Sequence, residues 1–141
     1  MWLMRRALKY MIPQEHGRIM SVSSMYGKVV LATQAPYCTT KHALNGLTKV
    51  VAQEVGTLGI TVNALCPGGI LTDIMQEQGP AAAEQLGLSF EDFLTMMQAP
   101  SAIKRMNTVE DCALVAVLLA SEAGAGITGS LISIDGGQSP Y

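Results

Sequence analysis

Apolar residues recur along this chain with two periods, and the alternation between them predicts its elements. Over residues 2–12, Trp2, Leu3, Ala7, Leu8 and Met11 fall near one face of a helix, with Arg5, Arg6 and Lys9 flanking it. Pro13 and then Gly17 are expected to end that helix. Residues 18–23 are short and apolar with a polar exit, which suits a buried strand. A loop containing Gly27 and Pro36 leads into a long helix over residues 37–58, where Ala43, Leu44, Leu47, Val50, Val51 and Val55 recur at helical spacing. Pro36 sits where proline favours a helix start, and Gly59 closes the helix. A second strand over residues 60–65 is stopped by Pro67-Gly68-Gly69. Residues 71–107, rich in methionine, glycine and alanine, read as short helices with mobile joints. Ser89 with Asp92, and Thr108 with Asp111, carry capping-box spacing, the second opening a helix through Ala120. A glycine-rich turn feeds a last strand over residues 131–135. Short apolar strands separated by helices imply parallel pairing in an α/β fold, here a thin three-stranded sheet with an unprotected edge.

Composition narrows the function classes. The 141 residues have room for one domain. An apolar share of 49%, a charged share of 14% and a mean hydropathy of +0.30 exclude intrinsic disorder and a charged rod. A net charge of −2 and a pI near 5.6 give no electrostatic reason for a nucleic-acid partner. The longest apolar run, Cys112 to Ala120, is far short of the roughly 20 residues of a membrane span. So much apolar material in a small domain predicts faces that a partner or further sequence covers. Cys38, Cys66 and Cys112 are odd in number and widely spaced, which suits reduced thiols in the cytoplasm. Two histidines, His16 and His42, without a zinc-ligand spacing give no basis for a metal site. The basic opening segment interleaves its charges with apolar residues and lacks a small-residue cleavage site, so it reads as a surface helix and not a targeting peptide.

One constellation can carry chemistry: Ser24, Tyr37 and Lys41. Tyr37 and Lys41 stand four apart on the long helix and share a face. A free phenol titrates near pH ~10 and is a poor acid or base at neutrality, but a nearby ammonium favours the phenolate. Ser24 leaves a strand end from which it can hydrogen-bond a substrate oxygen. A serine holding a carbonyl while a tyrosine supplies the proton suits hydride addition. A hydrolase built from Ser24, His42 and Asp73 is the weaker alternative, because G-x-S-x-G is missing and His42 sits beside Lys41 on a helix.

Ser23-Ser24 followed by Tyr37-Cys-Thr-Thr-Lys41 resembles the catalytic segment of the short-chain dehydrogenase/reductases. The likeness continues through Gly59–Gly68, Thr72, Arg105 with Glu110-Asp111, Ile127–Gly129 and Ile134–Gly137, in the family's order. It implies the C-terminal portion of a Rossmann-type doubly wound parallel sheet, its last three strands with their helices. Residues 1–141 would then be part of a dinucleotide-binding domain, with about 73–107 as a substrate lid. By the same resemblance Ser24 would polarise the substrate oxygen, Tyr37 would donate or accept the proton, and Lys41 would assist it and bond the nicotinamide ribose. Pro67 and Gly68 would turn the chain, and the Ile70 backbone with Thr72 would meet the carboxamide of NAD or NADP. Met75, Phe90, Phe93, Met96 and Met97 look like lid residues. The helices over 2–12 and 37–58 match those that pack across subunits in the family, which implies a homo-oligomer.

The family's first half has no counterpart here: no Thr-Gly-x-x-x-Gly-x-Gly, no Asn-Asn-Ala-Gly, and no active-site asparagine ahead of Trp2. Gly124-Ala-Gly126-Ile-Thr-Gly129 fits G-x-G-x-x-G but follows a helix and precedes a strand, so it reads as a turn. The Ser24 to Tyr37 spacing is similar to that of the family's 3-hydroxybutyrate dehydrogenases. Those place a histidine two residues after the serine and a lysine three before the tyrosine, where this chain has Tyr26 and Gln34. With both groups uncharged, Tyr26 and Gln34 favour a neutral alcohol or ketone, or a carrier-bound 3-oxoacyl group, over a small carboxylate. The expectation is an NAD(P)-dependent alcohol dehydrogenase or ketone reductase, inactive as 141 residues alone. The competing expectation is a catalytically silent remnant serving as an oligomerisation module.

Overall fold

The structure, a computed structural model, describes residues 1–139. Three parallel strands, β1 (Gly17–Val22), β2 (Ile60–Pro67) and β3 (Leu131–Ile134), lie in the order β1-β2-β3. Gly17 pairs with Ile60 and Val22 with Leu65, while Ala64 pairs with Leu131 and Pro67 with Ile134. The central strand β2 is buried on both faces, from Ile60 through Cys66, as expected of a parallel strand covered by helices. On one face Ile60 and Val62 pack with Val51, Ala52 and Val55 and with Met4, Leu8 and Met11. These come from α2 (Ala35–Val55) and α1 (Trp2–Gln14). Alternation turns Thr61, Asn63 and Leu65 to the opposite face, where α5 (Val109–Ala120) packs on β1 and β2. Between β2 and α5 the chain makes a hairpin of α3 (Asp73–Gln85) and α4 (Phe90–Gln98). A Cβ on Gly79 would lie 2.4 Å from Phe90 Cε2, so only glycine lets that ring seat on α3.

Several sequence expectations shift. Pro13 does not end α1; it lies in the last turn, and the helix stops at Glu15, whose φ of 49° is left-handed and whose amide reaches Ile12 O. Trp2 and Leu3 do not join the inner face: they are 82% and 86% exposed, and Met4 packs inward in their place beside Leu8 and Met11, which lie as expected. The inner face of α2 is likewise rotated. Ala43 and Val50 are exposed, while Asn45 and Thr48 are buried. Thr48 tolerates this because its hydroxyl donates to Leu44 O (3.0 Å). The long helix begins at Ala35 and gives way at Gly56 to a 3₁₀ turn closed by Gly59 at φ 66°. Pro67 belongs to β2 instead of stopping it. The capping box at Thr108 and Asp111 is complete (2.9 and 3.1 Å), whereas Ser89 caps α4 but Asp92 bonds only the Ser89 hydroxyl (2.6 Å). Gly124–Gly129 is a turn, with Gly129 at φ 68°.

Candidate active site

The site forms where β1 and β2 reach their carboxyl ends and α2 begins. Beyond Val22 the chain passes Ser23 and Ser24 and winds into a 3₁₀ turn over Met25–Gly27. Ser24 is buried and caps that turn, its hydroxyl accepting from the Tyr26 amide at 3.1 Å. Gly27 then passes so close to α2 that a Cβ would lie 2.6 Å from Asn45 Nδ2 and 2.9 Å from Lys41 O. This contact brings the Ser24 turn against the second and third turns of α2, at Lys41 and one turn beyond it.

Lys41 Nζ donates to Val22 O (3.0 Å) and lies 5.5 Å from the Tyr37 ring centroid, within cation–π range. The bond to the β1 end fixes a long side chain that would otherwise sample many rotamers. Tyr37 is 42% exposed in the first turn of α2. Tyr26 lies beside it. Burial pushes the Tyr26 phenol above its ordinary value, with further raising from Cys38 and Tyr37. Gln34 stands exposed at the start of α2, where its carbonyl accepts from Cys38 N (2.9 Å) and its side chain makes no capping bond.

The far wall comes from the end of β2. Gly68 lies against Asp135, where a Cβ would meet its Cα at 2.9 Å, and Gly69 against Met106 and Met97. Ile70 bridges to Asn107 in parallel fashion, through Asn107 N to Gly69 O (3.0 Å) and Leu71 N to Asn107 O (3.4 Å). This pattern turns the Ile70 amide away from Asn107. Among the described hydrogen bonds that amide donates to no other group, which leaves it free for a ligand carbonyl. Thr72 caps α3 by accepting from Met75 N at 3.3 Å. Lys41 is thus fixed at the end of β1, and past the end of β2 stand the free Ile70 amide and the Thr72 hydroxyl, polar groups of the kind that would suit the nicotinamide end of a dinucleotide. Ligands of open α/β sheets bind at this place, beyond the strand ends.

The alternative with Ser24, His42 and Asp73 does not assemble. His42 Nδ1 contacts Cys38 O (2.9 Å) and lines a separate groove of about 580 Å³ with Lys28, Asn45 and Lys49, while Asp73 lies in the first turn of α3. Among the described residues no three His, Cys, Asp or Glu side chains gather as a metal site. No described helix is long and apolar enough to cross a membrane. The sequence pattern missed two contributors. Asn45 was hidden among apolar positions of α2, and the Met25–Gly27 turn is too short for periodicity, although a serine at its cap was a usable signal.

Known proteins resemble this chain along most of its length. The family model described as enoyl-(acyl carrier protein) reductase matches residues 1–139. A D-beta-hydroxybutyrate dehydrogenase of Rhizobium meliloti is 38% identical over 134 residues, covering 94% of this chain and 52% of the relative. A 3-oxoacyl-[acyl-carrier-protein] reductase of Rickettsia prowazekii is 35% identical over 136 residues, covering 96% and 52%. Among solved structures, an actinorhodin polyketide ketoreductase variant with NADPH superposes with a TM-score of 0.90 at 28% identity, covering 98% of this chain and 54% of that one. The chain thus spans about half the length of the relatives it matches. Its three parallel strands and flanking helices are a portion of their Rossmann-type sheet. With the family model matched along nearly all of its length, this chain belongs to the short-chain dehydrogenase/reductases, a family of NAD(P)-dependent oxidoreductases.

Proposed function

We propose that the chain carries the catalytic half of an enzyme that interconverts a secondary alcohol and a ketone with NAD or NADP. The observation that supports this best is the convergence of Lys41 and Tyr37, 5.5 Å apart, beside the capped Ser24 turn. Because the Tyr26 amide occupies a lone pair of Ser24, the hydroxyl hydrogen is left to hold the substrate oxygen. Tyr37 donates a proton to that oxygen in reduction and accepts it in oxidation. Lys41, held by Val22 O, supplies positive charge beside the phenol as its proton leaves and would hold the nicotinamide ribose. Pro67 and Gly68 carry the chain out of the end of β2, and the Ile70 amide with Thr72 would hold the carboxamide. When bound, the nicotinamide would supply the hydride chemistry.

Tyr26 and Gln34 line the substrate side as uncharged groups, which favours a neutral ketone or a carrier-bound 3-oxoacyl group. Residues 73–107 form the lid. The protein works in the cytoplasm as a homo-oligomer through α1 and α2. Residues 1–141 by themselves carry no glycine-rich cradle for the pyrophosphate, so they bind dinucleotide weakly and do not turn over. Titration of the chain with NADH and NADPH by fluorescence tests this; micromolar affinity refutes it. In a complete enzyme with the upstream half, Tyr37→Phe abolishes turnover and leaves cofactor affinity nearly unchanged. Retained turnover removes Tyr37 from the mechanism.

A second reading, a catalytically silent oligomerisation module, is favoured by the apolar groups α1 and α2 leave open: Trp2, Leu3 and Tyr10, and Val50 at 56% exposure. An in-frame upstream extension encoding the glycine-rich turn decides for the enzyme; stable assembly without any cofactor affinity or such an extension decides for the module.

A further inference from the structure

Behind the catalytic face, one buried side chain joins the three segments that carry the site. Asn45 is 4% exposed in the middle of α2. Its Nδ2 donates to Gly27 O at 2.8 Å, in the turn that Ser24 caps. Its Oδ1 accepts from Cys66 Sγ at 3.9 Å, one residue before Pro67 at the end of β2. Asn45 also lies two turns along α2 from Tyr37 and one from Lys41. Around it, Ser23 Oγ donates to Lys41 O (3.4 Å), and Gly27 has no room for a Cβ against Asn45, Ser23 or Lys41 O. An amide in the middle of a helix face that otherwise buries Val51, Ala52 and Val55 is costly unless its polar atoms are partnered. Here both are, and each partner belongs to a segment bearing a site residue.

We infer that Asn45 is a positioning residue: its donor to Gly27 and its acceptor for Cys66 fix the Ser24 turn and the Pro67 strand end against α2, and so set the separation of Ser24 from Tyr37 and Lys41. The inference rests on the reading of Ser24, Tyr37 and Lys41 as the site. Asn45 touches neither substrate nor cofactor and acts through Gly27. A hydrophobic residue of equal volume would fill the space but would let the Gly27 carbonyl turn away. The turn is held to α2 at this point by a directional bond, not by packing alone.

The test uses backbone amide exchange by NMR on the full chain. In the wild type, one Asn45 Nδ2 proton and the amides of Tyr26, Gly27 and Lys28 are protected. Asn45→Asp keeps the shape and the acceptor but removes the donor; it lowers protection at those three amides about tenfold while Val62 and Ala64 in β2 keep theirs. Asn45→Gln retains a donor on a longer arm and restores most of the protection. An Asn45 side-chain amide exchanging at the solvent rate in the wild type overturns the inference, and this holds even if Asn45→Asp does not fold. Loss spread evenly over β2 and the turn also overturns it, because that pattern marks general destabilisation. Turnover of a complete enzyme is read separately. No turnover in the wild type refutes the proposed activity and leaves the exchange result standing; with turnover, Asn45→Asp lowers kcat more than it raises KM.

Discussion

Two glycines, one packed against α2 and one within it, respond to the same substitution with opposite sign. A Cβ on Gly27 would stand 2.6 Å from Asn45 Nδ2, 2.8 Å from Ser23 Oγ and 2.9 Å from Lys41 O. The last is helix backbone and cannot step aside, so Gly27→Ala must push the Met25–Gly27 turn off α2. Overpacking of this kind costs about 1–3 kcal/mol. The displacement also stretches the 2.8 Å bond from Asn45, leaving a buried donor unpaired at roughly 1–3 kcal/mol. The two effects share one movement and do not add fully, which gives about 2–4 kcal/mol overall. With a urea m-value of about 2 kcal/mol per M, the midpoint falls by about 1–2 M. Gly46 lies on α2 itself, and a Cβ there meets nothing within 4 Å. Gly46→Ala therefore stabilises, by about 0.4–1 kcal/mol, because alanine loses less freedom in a helix. Urea unfolding of the full chain followed by far-UV circular dichroism reads both. A Gly27→Ala midpoint within roughly 0.2 M of the wild type would refute the argument, since that shift lies far below the smallest cost assigned.

Thr108→Ala removes the hydroxyl that caps α5 and breaks a complete capping box, lowering stability by about 0.5–2 kcal/mol in the same assay. The Arg105 guanidinium, with Thr108 N, holds the Asp111 carboxyl well below the usual carboxylate range, at about 2. A group depressed in the folded state stabilises above its unfolded value and loses that contribution as pH falls through the folded one. The melting temperature should thus drop between about pH 4 and pH 2, and Asp111→Asn should flatten that part of the profile. Burial raises the Tyr26 phenol, so its contribution is complete below pH ~10 and disappears as pH rises above it. Tyr26→Phe should melt with a shallower alkaline decline than the wild type; an identical decline would exclude Tyr26 as its source.

The three-stranded parallel order was readable because short apolar runs at residues 18–23, 60–65 and 131–135 alternate with helical periods, and only parallel pairing satisfies that spacing. Ser24, Tyr37 and Lys41 were readable as a group because two of them share a helix face and the third leaves a strand. Element faces were less readable. Trp2 and Leu3 are apolar, yet the helix turns Met4 inward in their place. Asn45 is polar, yet it is buried, because a carbonyl from eighteen residues earlier comes to meet it. Such a pairing is a tertiary fact without a local pattern. Pro13 read as a terminator, but α1 continues to Gln14 before Glu15 turns left-handed. The segment over 71–107 read as short helices, and α3 and α4 are such helices, but the packing of Phe90 on Gly79 that pairs them in a hairpin left no local pattern.

The central position of β2 also sets the order in which the chain can be assembled during synthesis. Among the described strands β1 pairs only with β2, so that pairing waits until Ile60–Leu65 has been made, and Leu131–Ile134 joins Ala64–Pro67 later still. Such distant parallel pairings form slowly, and unpaired strand edges invite aggregation meanwhile. In the interval, Ile19, Leu47 and Met11 lack the Ile60 and Val62 side chains they pack against. A nascent chain arrested before residue 60 should therefore engage chaperones more strongly than one arrested after residue 67.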